Sequence, residues 1–486
     1  MLRTLLVATL VLAALLAGCA SDERGDGAPG PLPRVRDDIV SFRGLDRVDL
    51  PTGFGAAAWR MAKTGYNSGE PTLGVASDGT IFTTAGGPSI ARSTDDGKSW
   101  KLVGTPASAA QTPKTSLDPW IWLDPITDRI YDSPLYVVCT WASWSDTRGD
   151  TWDFNPLAGC GVPAHDHQKL TTGPPAAGVT MSGYPNVVYY SYNSFRSVDQ
   201  CGENCPTAVE EEGGTQVSVS RDGGRSFGRA VMVHPNDLCH AGIASPVMVA
   251  PDGTAYSGHP TCDGLSIAVS HDSGATWSDP LLITDVGAAP ALAHMVDVAT
   301  DEANTAYVTW TSEDGAAYLV RSTDSGATWS APIRVSPPTL NSTVYNVIIA
   351  GAAGHVAVGY YGTTADTSSW ETADAQSAAA DTRWHIHLSV TDDALSEEPT
   401  WTTLRLTPED DPAQIGCIWQ SGGSNPCRNL GDFIDLAERD GRPYLVFPDG
   451  CDRCSSDAQS RGAAVTVAIL ETGPSLDGTT LRPLAG

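Results

Sequence analysis

Positive charge is scarce in this chain of 486 residues: 29 Lys and Arg stand against 57 Asp and Glu, for a net charge of -28. Phosphate recognition needs a basic face, so nucleic acid is excluded as a partner. Long apolar runs are also missing. The one sustained run, residues 5–16, is shorter than the roughly 20 residues that span a bilayer as a helix. Apolar residues at helical spacing are few. What recurs instead is short Val, Ile, Tyr and Trp runs bounded by Gly, Asp and Pro, with 49 Gly and 34 Pro in total. That pattern predicts an all-β protein.

The apolar run follows Arg3 and ends in Leu16-Ala17-Gly18-Cys19, which has the layout of a secretion signal and resembles a bacterial lipobox. The expectation is a signal peptide over 1–18 and a lipidated Cys19 with a polar Gly/Pro-rich tether over 19–45. Two acyl chains anchor a protein stably where one is marginal, so the chain is expected outside the cell membrane, touching it through the lipid only. Setting Cys19 aside leaves ten of the 11 cysteines, an even number in an exported chain, and so up to five disulfides. Neighbours in sequence suggest Cys139 with Cys160, Cys201 with Cys205, Cys239 with Cys262, Cys417 with Cys427, and Cys451 with Cys454. The last pair lacks a second Cys or His pair at zinc-finger spacing, which favours a disulfide over zinc.

One octapeptide repeats, with Ser first, Asp third, Gly fifth and an aromatic eighth. Copies open at Ser93, Ser220, Ser270 and Ser322, with their acids at Asp95, Asp222, Asp272 and Asp324. A degenerate copy opens at Ser145 with Thr147 in the acid position, and a decayed one lies near residues 389–393. The residue types suit a turn: Ser and Asp accept backbone N–H groups, Gly permits positive φ, and the aromatic packs between sheets. These octapeptides resemble the Asp boxes (BNR repeats) of the sialidase-like β-propeller superfamily. The resemblance implies a propeller over 46–486. Seven strand-turn-strand units predict seven four-stranded blades, with six as the alternative.

In such a fold the innermost strand of each blade starts at one mouth of the central channel, and the boxes lie on the opposite face. Aligning the seven units places Glu70, Asp118, Asp166, Ser245, His294, Asn346 and Asp432 at the mouth, with His165, His167, His240, Asp297, Tyr345 and Arg428 nearby. The ring of polar groups is open to three readings: a wet surface, a cation site with calcium as the candidate ion, or a site for an extracellular glycan or cell-envelope polymer. The resemblance implies exo-sialidase-like glycoside hydrolysis, with Glu70, Asp118, Asp166, Tyr345 and Asp432 as candidate catalytic groups. His167, His240, His294, Arg428 and Trp120 are the candidate substrate-binding groups. Sialidases open their first blade with an arginine that binds the substrate carboxylate; here Gly69 stands in that position and Glu70 follows it. A non-catalytic glycan- or protein-binding propeller is the alternative.

Overall fold

A computed structural model describes residues 46–49, 56–105, 118–136, 139–160, 165–194, 214–235, 245–261, 264–284, 296–367, 375–419, 425–451, 453–459, 461–481 and 483–484. Cys19 and the expected signal and tether up to residue 45 lie outside the described residues, as do His240, His294, Cys201, Cys205, Cys239 and Cys262; the side chains of His165 and Asp166 do too.

Seven antiparallel sheets form a seven-bladed β-propeller. The inner strands of blades 1 to 7 are Leu73–Val75, Ile121–Leu123, His165–Gly173, Met248–Val249, Asp297–Thr300, Ser342–Ala350 and Asp435–Arg439. Each inner strand touches the next, and the seventh touches the first, so the ring is closed. Closure uses strand Ala56–Asn67, which pairs with Ala464–Thr472 as the fourth strand of blade 7 and carries Asp46–Asp49 on its outer side. One apolar core therefore joins residues far apart in sequence: Val75, Ile81 and Ala91 of blade 1 pack with Ala62, Val446 and Val467 of blade 7. Buried aromatics fill the other seams, as Tyr256 and Trp310 do between blades 4 and 5.

The Asp boxes close the turns between third and fourth strands. Ser93 Oγ donates to Asp95 (2.8 Å) and accepts the Gly97 N–H (2.9 Å), while Asp95 accepts the Ser99 N–H (2.9 Å) and hydroxyl (2.6 Å). Asp222, Asp272 and Asp324 repeat this pattern. In the degenerate copy Thr147 Oγ1 takes over the acid's bond to the Thr151 N–H (2.8 Å). The decayed copy is centred on Thr391 and Asp393, and Asp393 accepts the Thr400 N–H (2.8 Å). The box glycine is required twice over: Gly274 has φ +77°, and a Cβ there would lie 2.6 Å from Val219 of the preceding blade.

These bonds hold the box carboxyls below the usual carboxylate range. For Asp222, although burial pushes the other way, its bonds to Ser226 and Ser220 lower it. A depressed carboxyl stabilises the fold above its unfolded-state value, and that contribution is lost as pH falls through the folded value. Asp222→Ala is expected to cost about 1–2 kcal/mol, for lost hydrogen bonds at a partly exposed turn, whereas Asp222→Thr keeps most of the stability because Thr147 already serves in blade 2. Urea unfolding at pH 7 and below pH 4 checks both; equal midpoints for the two variants would contradict the assignment.

Two disulfides are formed among the described residues, Cys417–Cys427 and Cys451–Cys454. Cys139 and Cys160 face each other in register across neighbouring strands of blade 2.

Candidate functional site

The antiparallel order of each blade puts the start of its inner strand and the end of its third strand on opposite faces, so the mouth lies away from the Asp boxes. Blades 1, 2, 3, 6 and 7 bring Glu70, Asp118, His167, Tyr345, Arg428 and Asp432 together there. Glu70 and Asp118 are half-buried and hydrogen-bonded to each other through their side chains. Burial first, then the charges of Asp118 and Asp432, push the Glu70 carboxyl well above the usual range; Arg428 opposes this. Two carboxyls in contact cannot both carry charge cheaply, so Glu70 holds the proton.

Asp432 is buried and receives Arg428 Nη2 at 2.7 Å and Nε at 3.4 Å. Arg428 projects from a single 3-10 turn, Arg428–Leu430, which the Cys417–Cys427 disulfide adjoins. His167 Nε2 lies 3.8 Å from Asp432, and its backbone N–H reaches Asp118 at 3.4 Å. Gln168 fixes the Asp118 segment by donating to the carbonyls of Asp118 and Ser133.

Asp118, His167 and Tyr345 all have positive φ, at 49°, 47° and 57°. For residues with a Cβ this region costs free energy, and such strain persists where the surrounding structure enforces it. The inner strands of blades 3 and 6 change register between Asp166 and Lys169 and between Val344 and Val347. The extra residue moves the mouth position by one. His167 and Tyr345, rather than Asp166 and Asn346, hold the conformation that Asp118 holds in blade 2. Asn346 is instead fully buried, and its amide has no hydrogen-bond partner among the described residues. Tyr345 is fully buried as well, donating its hydroxyl to the Gly431 carbonyl. Burial, and then Asp432, hold its phenol well above the usual range.

Other predicted groups are spent on the frame. Trp120 is buried, donates to the Leu170 carbonyl (2.9 Å) and packs edge-on against Phe433. Ser245 bonds the backbone of Pro246 and Gly258. Gly69 packs on Gly431: a Cβ there would lie 3.1 Å from the Gly431 nitrogen. That contact is tight for a side chain at position 69.

Below the cluster the channel floor is lined by buried ionisable groups. Asp297 accepts the Val298 and Ile348 N–H groups, each at 3.0 Å, and Asp435 accepts those of Leu73 (2.8 Å) and Leu436 (2.9 Å), so each carboxyl bridges two blades. Burial pushes Asp297 up to about 6 and Asp435 up to about 8. Lys169 enters from blade 3 with its ammonium 5.7 Å from the Trp120 ring, and burial pulls it down to about 8 against the attraction of Asp297, Asp118 and Asp435. Sequence reasoning missed Lys169; the available signal was a lysine in the middle of an inner strand. Among the described residues no three His, Cys, Asp or Glu side chains are grouped to hold a metal ion, and the positive charge beside Asp432 comes from Arg428.

No protein-family model matches the chain. No curated protein matches it either. Among solved structures, the chain is similar to the BP39L lectin from Burkholderia pseudomallei at 11% identity and a TM-score of 0.50, over 86% of this chain and 100% of that one. The intramolecular trans-sialidase from Ruminococcus gnavus matches at 13% identity and a TM-score of 0.41, over 84% of this chain and 95% of that one. The Aleuria aurantia lectin matches at 9% identity and a TM-score of 0.41, over 72% and 97%. Likeness at these identities speaks to the fold alone.

Proposed function

We propose that the mouth is a glycan-acting site in which Glu70 is the proton donor. The observation that carries this is the hydrogen-bonded Glu70–Asp118 pair next to Asp432, a protonated carboxyl beside carboxylates at the open end of the channel. Raising one carboxyl while its neighbours keep their charge is how a protein holds a general acid ready near neutral pH. In hydrolysis Glu70 gives its proton to the glycosidic oxygen as the bond to the sugar breaks, water adds to the anomeric carbon, and Asp432 takes the proton that water releases. Glu70 and Asp118 are in direct contact, closer than the roughly 5 Å or more that separates the two carboxyls of a glycosidase. Asp118 therefore keeps Glu70 protonated and does not act as the nucleophile.

The substrate is uncharged. Arg428 is committed to Asp432, position 69 supplies no arginine, and the surrounding carboxyls repel an anion such as sialic acid. A panel of neutral and sialylated oligosaccharides offered to the purified protein tests this, read both as released sugar and as binding by calorimetry. Release from neutral members is the expected result, and binding without release moves the assignment to a glycan-binding propeller. Preference for sialylated members, or neither release nor binding, would sink the proposal.

The protein acts outside the cell membrane on a lipid anchor at Cys19. The segment Leu16-Ala17-Gly18-Cys19 and the Cys417–Cys427 and Cys451–Cys454 disulfides, which suit an oxidising compartment, support this. Labelled palmitate should enter the membrane-bound wild type and not Cys19→Ser, which should be released; equal labelling of both would reject the anchor.

A further inference from the structure

Blade 6 departs from its neighbours in its outer half. Its third strand, Arg383–Thr391, ends in Thr391, which holds the place of Ser220, Ser270 and Ser322. Four residues before those serines stand Gln216, Ser266 and Tyr318; blade 6 has His387 there, and His385 lies on the same face. A cleft of about 850 Å³ opens between these imidazoles, Leu340 on the connection from blade 5, and the outer-strand residues Trp401, Thr403 and Arg405. That volume is in the range of small-molecule sites. One wall carries Asp366 and Asp381, from the two described ends of the insertion between the second and third strands.

The polar groups of the cleft are set for a ligand that donates. His387 stacks on Tyr360 with ring centroids 5.7 Å apart, and its Nδ1 lies 3.0 Å from the His385 carbonyl. A carbonyl only accepts, so Nδ1 carries the proton and Nε2 is left as an acceptor. No protein group among the described residues fills it. Trp401 lines the cleft with its ring, while its indole N–H is closed off from the cavity. Arg405 pairs with Glu409, and Asp366 and Asp381 outnumber the one other cation of the lining, Arg383. Burial pulls His385 down to about 4 and His387 to about 3, so both rings are uncharged at neutral pH. Asp366 and Asp381 disfavour an anion.

We propose that this interblade cleft is a second binding site, separate from the mouth, for a neutral saccharide unit, one hydroxyl of which donates to His387 Nε2. A hydroxyl supplies the donor that this buried ring lacks, and an uncharged sugar avoids the acidic wall. This inference does not depend on the activity assigned to the mouth.

Calorimetry of the purified protein with cellotriose, chitotriose and mannotriose tests it. Glu70→Trp blocks the mouth, and in that background His387→Phe keeps the ring stack and deletes the acceptor while Thr403→Trp fills the cleft. At least one trisaccharide is expected to bind Glu70→Trp, about tenfold more weakly once His387→Phe is added, and not at all once Thr403→Trp is added. Thermal unfolding at the wild-type temperature certifies each variant, and if His387→Phe misfolds, Thr403→Trp decides. The proposal is overturned if no trisaccharide binds Glu70→Trp, or if the folded Glu70→Trp, Thr403→Trp double variant binds as Glu70→Trp does.

Discussion

Glu70→Gln is expected to lower release of the neutral sugar that the mouth accepts by about 10²-fold or more, the scale of losing a general acid, while leaving its binding nearly unchanged. Gln keeps the size and the hydrogen-bonding reach to Asp118 but has no proton to give. The wild-type rate should fall as pH rises through the raised Glu70 value, because only the protonated form donates. The same shift acts on stability. A carboxyl raised by burial favours folding below its unfolded-state value, and that contribution is lost as pH rises through the folded value. Gln mimics the protonated form at every pH, so the variant should be at least as stable as wild type near neutrality and should lose that part of the pH dependence. Rates and thermal midpoints measured across the same pH series separate the two effects. A variant that releases sugar at the wild-type rate removes Glu70 from the chemistry.

Arg428→Ala is expected to be the most damaging single change at the mouth, at about 3 kcal/mol. Breaking one side of a buried ion pair leaves the other charge uncompensated, and Asp432 keeps only 8% of its side-chain surface exposed while Arg428 keeps 20%. Removing the cation also removes what opposes the rise of Glu70, so any activity left should persist to higher pH than in wild type. Asp432→Asn in the Arg428→Ala background should recover most of the lost stability by discharging the orphaned carboxylate. Urea unfolding of the two single variants and the double variant measures the coupling. Additive losses would show that the pair contributes nothing as a pair.

The architecture was legible because it repeats. Four octapeptides with Ser, Asp, Gly and an aromatic in fixed order can be recognised wherever they stand, since each bonds within itself: Ser93 to Asp95 and Gly97, Asp95 to Ser99. The blade count and the polar character of the mouth followed from the same periodicity. Glu70, Asp118 and Asp432 were found as the groups three residues ahead of an inner strand, a spacing that holds where the strand is regular.

Three features were decided only by the fold. The register shifts in blades 3 and 6 stayed hidden, because a bulge adds a residue without leaving a mark in the residue types; in blade 6 it leaves Asn346 buried and Tyr345 at positive φ. Strand Ala56–Asn67 completes blade 7 across a separation of about the whole chain, for ring closure is a long-range condition that no local pattern announces. The state of Glu70 arises from carboxyls contributed by blades 1, 2 and 7, residues 48 and 314 positions apart in order. Scarce positive charge in the sequence set the acidic character of the whole molecule; the folded ring decided where one arginine, Arg428, would stand against it.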